Sequence, residues 1–168
     1  METVNCARME SHETYQQIVK RINGTLPLHS LWDGFWVHGF RRGMLIISCS
    51  FNRIYYRDND LVFQKAIFFN VPDSWRDTQI DDDDLLRLAT RAEFTSQHPG
   101  FDTKGLPVFA IDLHANNHAG IRVGCTFYIV AKHLYLIRCA PDNNNPVPTY
   151  TDPFANEPYP CSKNRVPH

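Results

Sequence analysis

The sequence lacks most of the patterns that would name a chemistry. Its 168 residues contain no CxxC pair, and the five cysteines (Cys6, Cys49, Cys125, Cys139 and Cys161) are odd in number and widely spread. Such spacing supports neither a disulfide framework nor a zinc site, and predicts reduced, mostly buried thiols. There is no G-x-S-x-G elbow, no Walker loop and no G-x-G-x-x-G turn, so the common hydrolase and nucleotide-binding signatures are missing. No apolar run approaches the ~18 residues of a membrane helix. The richest stretch, 121 to 139, is broken by Arg122, Lys132, His133 and Arg138. The N-terminal METVNCARMESHETY lacks the basic, apolar, small-residue order of a secretion signal. Basic and acidic residues nearly balance, 17 against 18, with no Lys/Arg block, so nothing draws the chain to nucleic acid or an anionic membrane. The expectation is a soluble cytoplasmic protein with no membrane or nucleic-acid partner and no cofactor.

What is present fits one globular domain over residues 1–140: 43% of the chain is hydrophobic and 21% charged. SHETYQQIVKRI (11–22) predicts an amphipathic helix, with Tyr15, Ile18, Val19 and Ile22 on one face, Ser11 as N-cap and Asn23-Gly24 as its stop. From residue 33 short strands take over. GFWVHGF and GMLIISCSF (43–51) form a hairpin across Arg41-Arg42-Gly43, and LVFQKAIFFNV (61–71) is a third strand. DDDDLLRLATRAEF (81–94) predicts a second helix, with Leu85, Leu88, Ala89 and Ala92 as its stripe. Its acidic start serves as a cap for free N–H groups better than as a cation site, because the spacing fits no calcium loop. PVFAIDLH (107–114) and GIRVGCTFYIVA (120–131) alternate as strands. A bend near Ala131-Lys132-His133 then precedes LYLIRC. The tail, 141–168, holds seven of the eleven prolines and predicts an extended or disordered segment.

The most suggestive short stretch is LHANNHAG (113–120). His114 and His118 flank two asparagines, and Asp112 shares a strand face with His114, so an Asp112-His114-His118 metal site is conceivable. A polar hairpin tip accounts for the same letters with fewer assumptions, since Asn116 and Asn117 tolerate left-handed backbone. Cys49 lies on the apolar face of its strand and reads as a buried, inert thiol rather than a nucleophile.

The other unusual stretch is LWDGFWVHGF (31–40), with more aromatic residues than one strand face can bury. Trp36 is expected in the core. Trp32, together with Tyr55, Tyr56 and Arg57 in the following loop, is expected to contact a partner, since interface energy concentrates in Trp, Tyr and Arg. An aromatic pocket in a small-ligand carrier is a further reading.

The segments SLWDGFWVHGF, MLIISCSFNRIYY and LVFQKAIFFNVPDSW resemble, in layout, small single-domain bacterial proteins of the toxin-immunity type. The likeness spans about 30 to 139 and carries no site residues with it. It implies a non-enzymatic cytosolic protein that binds and neutralises a partner toxin. The fold expected is α+β, a mainly antiparallel sheet of about six strands with two helices packed on one side. The alternative is a small enzyme or metal-dependent protein using His114, His118 and Asp112.

Overall fold

A computed structural model describes residues 13–26, 34–49, 59–75, 85–116 and 122–138. Helix α1 (Tyr15–Thr25) opens it. Thr14 is its cap: the hydroxyl accepts from the Gln17 amide, and the Gln17 side chain accepts from the Thr14 amide. This reciprocal pair satisfies donors that the first turn leaves open. Ile18, Val19 and Ile22 are buried, as the spacing predicts, but the helix does not stop at Asn23. Asn23 is buried and used. Its side-chain N–H donates to the Leu86 carbonyl at 2.7 Å, and its side-chain oxygen accepts from the Leu86 amide at 3.1 Å.

Strands β1 (Phe35–Arg41) and β2 (Met44–Cys49) meet at a two-residue turn, Arg42-Gly43, with φ of 51° and 72°. Left-handed backbone at both positions matches the twist that such a hairpin needs, so the predicted hairpin stands. β3 (Asn59–Gln64) pairs with β2. The predicted strand over 61–71 is interrupted. The chain turns at Lys65, and only β4 (Phe68–Phe69) resumes pairing, in another sheet. β5 (Ser74–Trp75) then returns to pair with β1.

The helix predicted over 81–94 is corrected. Leu86–Ala89 is a strand, β6, and α2 spans Arg91–Gln97. Period-two spacing sends Leu86 and Leu88 to one face of a strand as readily as it feeds a helical stripe. The true start is Thr90, whose hydroxyl accepts from the Glu93 amide. Residues 81–84 lie outside the described residues. β7 (Val108–Asn116) and β8 (Arg122–Val130) form a long antiparallel pair, and β9 (His133–Arg138) follows the predicted bend. The tail 141–168 also lies outside the described residues.

Among the described residues the strands form two sheets, β5-β1-β2-β3-β9 and β4-β8-β7-β6, with every pairing antiparallel. The α+β class and the antiparallel character hold. The single sheet of about six strands does not, and the helices do not share a side. α1 sends Ile18, Val19 and Ile22 into a core with Leu45, Ile47, Leu61 and Phe63 from one sheet and Leu86, Phe109, Ile111 and Ile129 from the other. α2 lies on the opposite face of the four-stranded sheet, where Phe94 packs with Val108, Ala110, Tyr128 and Val130.

The two sheets share a corner. β3 pairs with β9 as far as Gln64↔His133, and β4 pairs with β8 from Phe68↔Val130. The same two chain segments therefore run side by side through both sheets, with one more residue on the Lys65–Ile67 side of the bend. An extra residue of this kind bends a strand pair.

A second irregularity lies in β1. Phe35 faces Cys49 and Val37 faces Ile47, but the register shifts before Gly39, so Phe40 faces Leu45. One inserted residue reverses the facing of every residue after it in the strand. Phe35, 1% exposed and stacked on Trp75 at 5.3 Å, is thus the aromatic core residue of this strand. Trp36, expected in that role, faces the other way opposite Ser48 and is only half-buried. Cys49 is buried as predicted, whereas Cys125 is exposed.

Candidate functional site

Of the residues singled out in the sequence, Trp32, Tyr55, Tyr56, Arg57 and His118 lie outside the described residues. His114 pairs with Gly124 and Asp112 with Thr126 along β7 and β8. Asn116 pairs with Arg122, so β7 and β8 are antiparallel neighbours, and the residues between them, 117–121, lie outside the described residues.

Asp112 is engaged on both oxygens. Arg87 donates from Nε to Oδ2 at 2.5 Å and from Nη2 to Oδ1 at 3.2 Å, and the Thr126 hydroxyl donates to Oδ1 at 2.6 Å. The other edge of the guanidinium meets Glu93: Nη1 to Oε2 at 3.0 Å and Nη2 to Oε1 at 2.7 Å. Tyr128 adds its hydroxyl to Glu93 Oε1 at 3.1 Å. Arg87 on β6 is thus held between a strand carboxylate and a helix carboxylate, and the bidentate geometry is what a planar guanidinium favours. Nothing in the one-dimensional pattern links Arg87 to Asp112. The Thr90-x-x-Glu93 spacing would at least have located the helix that presents Glu93.

The electrostatics follow the geometry. Hydrogen bonds to Arg87 hold the Glu93 carboxyl below its usual range, and the bonds to Glu93, then Asp112, make the guanidinium keep its proton more tightly. Burial, then Glu93, pushes the Tyr128 phenol up. A metal at Asp112 would have to displace a bidentate arginine. Among the described residues no group of three His, Cys, Asp or Glu is placed to hold a metal ion. The cluster's chemistry is to fasten α2 to the sheet.

That role has a testable pH signature. Glu93 binds its proton less readily folded than unfolded, so its contribution is present above the ordinary value of 4.5 and is lost as pH falls through the lower folded value. Arg87 and Glu93 side chains are 38% and 32% exposed, so solvent screening keeps the contribution small. Arg87→Met is expected to cost about 1 kcal/mol at pH 7 and to flatten the stability profile below pH ~4.5. Urea unfolding at pH 3, 5 and 7 measures both. An acid limb unchanged in the variant would show that Glu93 does not report on Arg87.

Beneath α2, the rings of Phe68, Phe94, His98, Phe101 and Tyr128 pack at centroid separations of 4.8 to 5.9 Å. They fill the space between helix and sheet, as a satellite core does.

The other candidate is a surface at the shared corner. Among the described residues two large hydrophobic side chains are exposed, Phe40 at 49% and Ile67 at 39%. Phe40 rests on Phe69, ring centroids 5.1 Å apart. The Ala66 amide donates to the Gly43 carbonyl at 2.8 Å, bringing the 65–67 turn against the 42–43 turn. The β1 bulge between Val37 and Gly39 sets the facing of Phe40, and the sequence carries no signal for it.

No protein-family model, curated protein or solved structure matches the chain. None of these comparisons identifies a toxin-immunity protein. No helix among the described residues is long and apolar enough to cross a membrane.

Proposed function

We propose that the protein acts by binding another protein, in the manner of small immunity domains that block a toxin, and not by catalysis. The observation that carries this reading is the exposed pair Phe40 and Ile67 at the corner, beside Arg41 and Arg42. An aromatic and an aliphatic side chain next to arginines have the composition of an interface centre. The Arg87 cluster supports it from the other side, because its charges are spent on one another. The loop residues Tyr55, Tyr56 and Arg57, with Trp32, are the next positions to scan for contacts.

Photo-crosslinking tests it. A crosslinking amino acid at position 40 in the source cell is expected to capture one partner, absent when the same group sits at the exposed Lys20 of α1. The purified partner should then bind the wild-type chain with a Kd of about 1 µM or tighter, roughly −8 kcal/mol. Equal labelling from both positions, or no measurable binding by calorimetry, sinks the proposal.

A further inference from the structure

The corner has a charge as well as an apolar face. Residues 40–43, 64–69 and 130–133 carry Arg41, Arg42, Lys65 and Lys132 and no Asp or Glu, in a chain whose net charge is −1. Three backbone contacts bring these segments together. Ala66 N–H donates to Gly43 O at 2.8 Å, Ile67 N–H to Val130 O at 2.9 Å, and Lys132 N–H to Gln64 O at 3.1 Å. Glu13 is drawn toward this end, because the Tyr15 hydroxyl donates to the Lys132 carbonyl, but it is paired with Arg21 at 3.1 Å. Within these described segments every charged side chain is therefore a cation.

The backbone adds a second observation. Arg42 and Lys65 sit at φ of 51° and 52°. Left-handed positions are filled most easily by Gly, Asn or Asp, and other residues there carry strain that is characteristic of functional surfaces. Both tight turns at this corner hold a long cation instead. The field of the cations also reaches inward: burial first, then Lys132 and Lys65, push the His133 imidazole below its ordinary value.

We infer that this corner docks an acidic segment of a partner protein, with Phe40 and Ile67 as apolar anchors and Arg41, Arg42, Lys65 and Lys132 as the charged rim. The inference rests on the binding-module reading and adds the chemistry of the partner. An apolar centre ringed by charge is interface anatomy, and the rim sets on-rate and salt dependence. Nucleic acid is the poorer fit, since phosphate has no use for Ile67 at the centre. A lipid surface is poorer too. Phe40 lies against Phe69 and is half covered, whereas insertion needs a projecting side chain.

The experiment uses the full chain and four labelled probes. They are a twelve-residue peptide of alternating Asp/Glu and Leu/Phe, its Asn/Gln counterpart, a 20-base-pair DNA duplex, and vesicles containing 30% phosphatidylserine. Fluorescence anisotropy, or co-sedimentation for the vesicles, is read at 50 and 300 mM salt. Expected is binding of the acidic peptide alone, weakened at least about fivefold by the higher salt. Arg41→Glu with Lys132→Glu should weaken it about tenfold or more, and Phe40→Ser about fivefold at both salts. The melting temperature of each variant is the folding control, and Arg41→Gln is the milder substitute if the reversal unfolds the chain. Tighter binding of DNA or vesicles, or equal binding of the Asn/Gln peptide, overturns the inference. If position 40 captures a partner whose affinity ignores the charge reversal, the acidic assignment fails and the binding module survives. If position 40 captures nothing specific, the binding module itself fails.

Discussion

Replacing Phe109 by alanine is expected to destabilise the protein by about 3–5 kcal/mol, the usual cost of emptying a buried aromatic site. For a chain of this size that lowers the melting temperature by on the order of 10 °C. Phe109 is fully buried in the centre of β7. It meets Tyr15 of α1 edge-on at a centroid distance of 6.1 Å and Phe63 of β3 at 5.6 Å. One ring of the four-stranded sheet thus touches both the five-stranded sheet and helix α1. No single one of these elements moves to fill the gap without leaving the other two, so the cavity should persist. Thermal melts against Phe40→Ala provide the contrast. Phe40 is half exposed, and its truncation should shift the melting temperature by no more than about 3 °C. Similar losses in the two variants would mean that the core is centred elsewhere.

Asn23→Ala is expected to cost about 2–4 kcal/mol, more than any other polar substitution in α1. The Asn23 amide mimics a neighbouring strand: it gives one hydrogen bond to Leu86 and takes one, both in buried surroundings. Alanine strands an N–H and a C=O at once, and each buried orphan costs about 1–3 kcal/mol. Asn23→Asp is the sharper variant. It keeps an acceptor for the Leu86 amide, loses the donor to the Leu86 carbonyl and introduces a charge in a buried place. Stability should fall at least as far as with alanine at pH 7, and partly recover toward pH 4 as the carboxyl protonates. A loss below about 1 kcal/mol for Asn23→Ala would show that water takes the amide's place.

The sequence pattern located the elements whose signals are local. Helix α1 followed from Ile18, Val19 and Ile22, and the first hairpin from the alternating GMLIISCSF run and the turn signal at Gly43. Failures came where a local signal is shared by two structures or is carried by another part of the chain. Leu85, Leu86 and Leu88 satisfy both periods, and a lone Thr90 decided where the helix starts. The turn at Lys65 has no Gly, Pro or Asn to announce it. The bulge after Val37 exchanged the expected roles of Phe35 and Trp36, and no letter in FWVHGF announces it. For the site, Asp112 was singled out as a possible metal ligand beside His114, whereas it holds Arg87, a partner set by strand order, which no spacing rule supplies. Phe40 reaches Phe69 only through the corner.

That corner also sets the order in which the chain can assemble. The β1–β2–β3 meander and the β7–β8 pair join nearby residues, so they form after short loop closures, on a fast timescale. Joining β3 to β9 and β4 to β8 is different. Gln64 must find His133 across about half of the domain's length, and the entropy of that closure is lost before any contact at the corner returns it. The rate-limiting event of folding should therefore be the closing of this one bent ribbon. Until it closes, the β3 and β8 edges are open to pairing with another chain, so the interval before closure is the protein's window for aggregation.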